Sequence, residues 1–133
     1  MKDYQTFLQE KIAISDYKGF DVQPSEINPM LKPHQKDCVQ WALKGGCRAL
    51  FASFGLGKTF MGLEIARLTR KHHGGRQLII APLGVIQEFK VDAAKLGINI
   101  TFIRWTHELT GDGIYITNYE SVRDGRLDAN LFN

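Results

Sequence analysis

The sequence predicts an α/β fold in which a mostly parallel sheet is flanked by helices. Three observations carry this expectation. From residue 47 onward, short apolar runs alternate with stretches of helical periodicity. The apolar runs are nearly continuous, as strands covered on both faces require. Glycines (Gly45-Gly46 and Gly97) stand where one element must give way to the next.

Residues 3 to 14 read as a short amphipathic helix, with Tyr4, Leu8 and Ile12 recurring at i, i+4, i+8 and Phe7 beside them. The stretch from 15 to 33 holds three of the four prolines and reads as an extended, turn-rich connection. A helix over 34 to 44 turns Cys38, Val39, Ala42 and Leu43 inward, and Gly45-Gly46 stops it. "CRALFAS" (47 to 53) is a buried strand and 58 to 71 a helix with Met61, Ile65 and Leu68 in the core. "QLIIA" (77 to 81) is a second strand. Residues 83 to 96 form a second helix of this α/β part, with Val85, Phe89 and Ala93 on one face. "INITFI" (98 to 103) and "GIYIT" (113 to 117) complete four strands, and a short helical turn starts at Asn118. The division is an N-terminal helix and proline-rich connection, 1–33, and the alternating α/β part, 34–133.

Composition removes several classes. The 133 residues suit one domain with a real core, and 44% hydrophobic with 23% charged residues is ordinary for a water-exposed globular chain. A net charge of +3 with a pI of about 8.9 is compatible with nucleic acid but too mild to argue for it alone. Cys38 and Cys47 lack metal-type spacing and read as reduced packing residues. His72 and His73 are adjacent, point apart on a helix, and read as its solvated end. The first ten residues hold no apolar signal core, and no run reaches the roughly 18 residues of a membrane span, so the expected compartment is the cytoplasm.

The stretch that carries chemistry is "FASFGLGKTF", 51 to 60. The phosphate-loop pattern is G-x-x-x-x-G-K-[ST]. Gly57-Lys58-Thr59 match its end, while Ala52 stands at the first glycine. Gly55 and Gly57 can take backbone angles closed to other residues. The loop N–H groups, those of Leu56 among them, can then converge on an anion. The helix that starts near Lys58 adds its positive end. Lys58 suits the β- and γ-phosphates and is the residue given a catalytic role; the Thr59 hydroxyl suits Mg²⁺. The rings of Phe54 and Phe60 read as packing, although Phe60 belongs to the stretch in reach of the nucleotide. ATP and Mg are the implied cofactors.

Three further stretches, "LKPHQ" (31 to 35), "LIIAPLGVIQEF" (78 to 89) and "ITNYESV" (116 to 122), stand in consistent order around the loop. Together with "FGLGKT" they resemble the first motor domain of superfamily 2 helicases, nearest the Swi/Snf-type branch of DNA translocases, including compact phage and prophage forms. The resemblance spans roughly residues 20 to 125 and implies an incomplete RecA-like P-loop domain. It assigns Gln35 to reading adenine, a role that suits an amide and competes with a solvated first-turn residue. His34 stands where the branch shows an aromatic. Tyr17 or Phe20 would stack on the base, against a packing role for each. Pro82 and Leu83, and separately Thr117, Asn118 and Tyr119, would touch nucleic-acid backbone, with a core position as the alternative for Tyr119. DNA is the implied partner, with RNA open beside it.

What the resemblance demands and 1–133 does not show is an Asp-Glu pair closing a further apolar strand, and a second motor domain with its arginine finger. The chain therefore reads as the front part of a longer motor, whether an engineered piece, a proteolytic fragment or a truncated gene product. Hydrolysis by it alone is not expected. An open sheet edge would favour self-association, so a dimer or a swapped element is expected and a clean monomer at high concentration would refute it. Two other readings stay open. One is another P-loop NTPase, opposed by the lack of an Asn-Lys-x-Asp base reader. The other is a non-catalytic remnant acting as a binding or regulatory module.

Overall fold

The computed structural model describes residues 3, 5, 19–46 and 57–132. The expected N-terminal helix, the strand at 47–53, and Tyr17, Cys47, Phe54, Gly55 and Leu56 lie outside the described residues.

The connection expected before the first helix is partly ordered by its own prolines. Pro24 opens a single 3-10 turn, Pro24–Glu26, and Pro33 sits at the first position of helix α1, Pro33–Gly45. There its missing N–H goes unmissed and its fixed φ is already helical. Gly46 ends α1 at φ 77°. Helix α2, Lys58–His73, starts from Gly57 and stops at Gly74. Strand β1, Arg76–Ala81, leads to a 3-10 turn, Leu83–Val85, and helix α3, Ile86–Leu96. Strands β2, Ile100–Phe102, and β3, Gly113–Asn118, precede the short helix α4, Tyr119–Arg123.

The single helix expected over 83 to 96 is thus two pieces. Pro82 is extended at ψ 144° and the Val85 N–H bonds its carbonyl, so the first turn is tighter than α. The strand expected over 98 to 103 is shorter for a reason at its start. The N–H of Ile98 is used by the Ala93 carbonyl, closing α3 around left-handed Gly97.

The sheet order is β1-β3-β2, and both pairings are parallel. Ile79, Ala81, Ile114, Ile116, Ile100 and Phe102 face the helices, joining Met61, Leu63, Leu68, Ala93 and Leu96. The alternate positions Leu78 and Tyr115 face the other way, onto Ile103, Leu127, Leu109 and Val122. Both faces are therefore covered by apolar neighbours, the condition that makes these strands read as continuous apolar runs. The α/β class with a parallel sheet between flanking elements is as the sequence predicts.

α1 and α2 run side by side in the same direction. Gln35 at the start of α1 meets Gly57 at the start of α2. At the far ends, the Phe20 N–H bonds the Leu43 carbonyl of α1, while the Phe20 ring packs on His72 and His73 of α2. Because the Gly74-Gly75 turn joins α2 directly to β1, the N-terminus of α2 lies at the C-terminal end of the strands. Ligands of open α/β sheets bind at that end.

Candidate functional site

The site is built from the start of α2 and the C-terminal ends of β1 and β3. Gly57 caps α2 at φ 76°, ψ 39°, in the left-handed region. Its carbonyl accepts the first helical bond, from the Met61 N–H. The N–H groups of Lys58, Thr59 and Phe60 precede that bond, and the first N–H groups of a helix are those its own carbonyls do not reach. They point out of the helix start together with the positive end of a 16-residue dipole. The Lys58 side chain is exposed and Thr59 half-buried. The Phe60 ring packs against the core, as its packing reading expects.

Gln35 is 5% exposed, so it is not a solvated first-turn residue. Its Oε1 accepts the Lys32 N–H at 2.8 Å, which holds the amide back over the helix start. A Cβ at Gly57 would collide with Gln35 Nε2. The left-handed backbone favours glycine at 57, and any larger residue there would also push the Gln35 amide aside.

Phe20 is placed elsewhere. Its ring lies between His72 and His73, at centroid distances of 4.9 and 4.7 Å, about 22 Å along α2 from Lys58. The packing role is the one the structure gives it. The two histidines are exposed at the end of α2 as expected, and His72 Nε2 there lies 3.0 Å from Glu26 Oε1.

The register aligns Ala81 with Asn118 and Ile80 with Thr117. Pro82 and Tyr119 therefore leave the sheet side by side. Pro82, Leu83 and Tyr119 are exposed, Leu83 at 52% and Tyr119 at 55%, so the core alternative for Tyr119 fails. Thr117 and Asn118 are not presented in the same way. Thr117 is fully buried, and its hydroxyl has no hydrogen-bond partner among the described residues. Its side chain shares the Leu78 and Tyr115 face, so its hydroxyl is not exposed as Tyr119 is. The Asn118 side chain is used locally. Its Nδ2 donates to Glu120 Oε2 at 2.9 Å and its Oδ1 accepts from the Ser121 hydroxyl at 2.6 Å. These bonds fix the start of α4 and so the direction in which Tyr119 projects.

A polar knot escaped the sequence reading. Glu64 is fully buried on α2 and accepts from Arg67 and from the Asn28 N–H, while Arg67 also donates to the Glu26 carbonyl at 2.8 Å. It ties the connection 22–31 to α2. The available signal was its spacing: Glu64 shares the Met61–Leu68 stripe at i+3, with Arg67 one further step of three. Nearby, the Gln23 N–H and the Lys71 ammonium hold the Glu26 carboxyl down, to about 2.

No protein-family model matches the chain, and no curated protein matches it. Among solved structures, a similar one is described as the Sulfolobus solfataricus SWI2/SNF2 ATPase core in complex with dsDNA. The TM-score is 0.58 at 19% identity over 74% of this chain. The chain spans 23% of that protein's length. The likeness is one of fold: this chain shares the α/β arrangement of part of that structure. Among the described residues, no helix is long and apolar enough to cross a membrane.

Proposed function

We propose that the chain is the N-terminal part of the first motor domain of an ATP-dependent DNA translocase of the Swi/Snf-like branch, phage and prophage forms included. The observation that carries this reading is the seating of Gln35 against Gly57. Two stretches 22 positions apart, each expected at a nucleotide, converge at one helix N-terminus.

The described residues fit ATP–Mg. The N–H groups and cation at Lys58 and the hydroxyl of Thr59 form a donor set for phosphate oxygens and a hydrated Mg²⁺. Gln35 is already oriented by Lys32, and an amide can both donate to and accept from one base edge. Bound ATP supplies the free energy that drives a motor; the residues here bind and orient it. Pro82, Leu83 and Tyr119 offer the exposed edge that nucleic-acid backbone would cross, with Asn118 positioning Tyr119. The similar structure's DNA complex supports DNA as the partner.

The test is calorimetric titration of Mg-ATP into the chain and into Lys58→Ala. Binding by the parent and at least tenfold weaker binding by the variant is expected. Equal affinity for both would overturn the assignment.

A further inference from the structure

We infer that a second cationic track, formed by Lys90, Arg104 and Arg126 on the rings of Phe102 and Trp105, binds the phosphate backbone of a nucleic-acid strand. This rests on the reading of the sheet's C-terminal edge as a nucleic-acid face and extends it past the end of β2.

Phe102 is the last residue of β2, paired with Ile116 two positions before β3 reaches Asn118. Lys90 Nζ on α3 lies 5.5 Å from the Phe102 ring centroid, and the Arg104 guanidinium lies 5.4 Å from the same centroid. Two cations thus share one ring. Neither side chain has an ion pair among the described residues. One residue on, the Arg126 guanidinium lies 5.7 Å from the Trp105 centroid, and Trp105 is 46% exposed.

The manner of support matters. A carboxylate that positions an arginine also neutralises it. An aromatic face holds a cation in place and leaves both its charge and its N–H donors for a ligand. Of the nearby carboxylates one is engaged away from the two cations on Phe102 and one partly neutralises Arg126, which leaves Lys90 and Arg104 as the unpaired members of the track among the described residues. Glu108 Oε1 accepts the N–H groups of Arg104 and Trp105, and Asp124 divides itself between Arg123 at 3.0 Å and Arg126 at 3.2 Å. On α3, Asp92 lies 3.9 Å from Lys95. Lys90, Arg104, Arg123 and Arg126 therefore face Glu108 and Asp124, and Arg123 also feels the Glu120 carboxylate. Like charges held by one ring repel, and a phosphodiester bound at either cation reduces that repulsion. Contacts of this kind read charge and not sequence, as a protein that moves along any sequence needs.

The experiment is fluorescence anisotropy of a labelled 20-nucleotide oligo(dT) and a labelled 20-base-pair duplex. The full chain, Lys90→Ala, Arg104→Ala and the charge-keeping Arg104→Lys are titrated from 50 to 200 mM NaCl. Each lost cation should lower the slope of log affinity against log salt by about 1. The advantage of the parent over each alanine variant should then shrink about three- to fourfold across that salt range. Arg104→Lys should keep the parent slope. Phe102→Leu should weaken binding while keeping the charge count. Parent-like affinity and slope in both alanine variants would overturn the inference, as would a parent that binds neither probe. Mg-ATP titration of the same proteins reads the proposed function separately. A parent that binds DNA through Lys90 and Arg104 but never binds Mg-ATP sinks that function and leaves the track standing.

Discussion

Substituting Gly57 by alanine tests the nucleotide-end geometry through folding alone. Alanine at φ 76° costs about 1–2 kcal/mol, because its Cβ crowds the carbonyl that follows. The new Cβ would also displace Gln35 Nε2, and with it the bond from the Lys32 N–H to Oε1, worth about 0.5–1.5 kcal/mol. The expected loss for Gly57→Ala is therefore about 2–3 kcal/mol in urea unfolding followed by circular dichroism, with the slope unchanged. Removing the obstacle first should reduce the damage. In a Gln35→Ala background the backbone cost remains and the collision does not, so the same substitution should lose about 1 kcal/mol less. Residues in direct contact show couplings of that order. An equal cost in both backgrounds would mean that Gln35 does not seat on Gly57, and the convergence on which the nucleotide site rests would fail.

Three further outcomes follow from the same structure. Arg67→Met leaves the buried Glu64 carboxylate without its cation and should cost about 3–5 kcal/mol in urea unfolding, most of it recovered by adding Glu64→Gln; no recovery would mean that charge is not the cause. Thr117→Val replaces a buried hydroxyl lacking a partner by a methyl and should leave stability unchanged or raise it by about 1 kcal/mol; a loss above about 1 kcal/mol would show a hydrogen bond at that hydroxyl. The Glu26 carboxyl is held at about 2 against an ordinary 4.5, so its contribution is full above pH 4.5 and is lost as pH falls toward 2. Glu26→Gln should flatten the stability profile in that window, and an unchanged profile would contradict the assignment.

The elements were legible where local chemistry decides them. Pro33, Gly46 and Gly97 mark helix ends through φ, and the apolar runs of β1 and β3 reflect burial on both faces. What stayed hidden depends on distance in sequence. Glu64 reads as an exposed charge until Asn28, 36 positions away, donates to it. Thr117 reads as a phosphate donor by residue type, and only the sheet shows that its side chain shares the Leu78 and Tyr115 face. The ring between Lys90 and Arg104 could not be seen either, since it needs the end of β2 to lie beside α3. Gln35 was legible only through the family pattern, and its burial against Gly57 supports the same placement from independent geometry.

The central claim is a nucleotide site at the start of α2 that reads adenine through Gln35 and phosphate through Lys58. Its most direct test is calorimetry with Mg-ATP and Mg-GTP on the parent, Lys58→Ala and Gln35→Ala. The account predicts that the parent prefers ATP, that Lys58→Ala binds neither nucleotide well, and that Gln35→Ala loses the preference while keeping phosphate affinity. A parent that binds neither nucleotide, or a preference that survives Gln35→Ala, would contradict it.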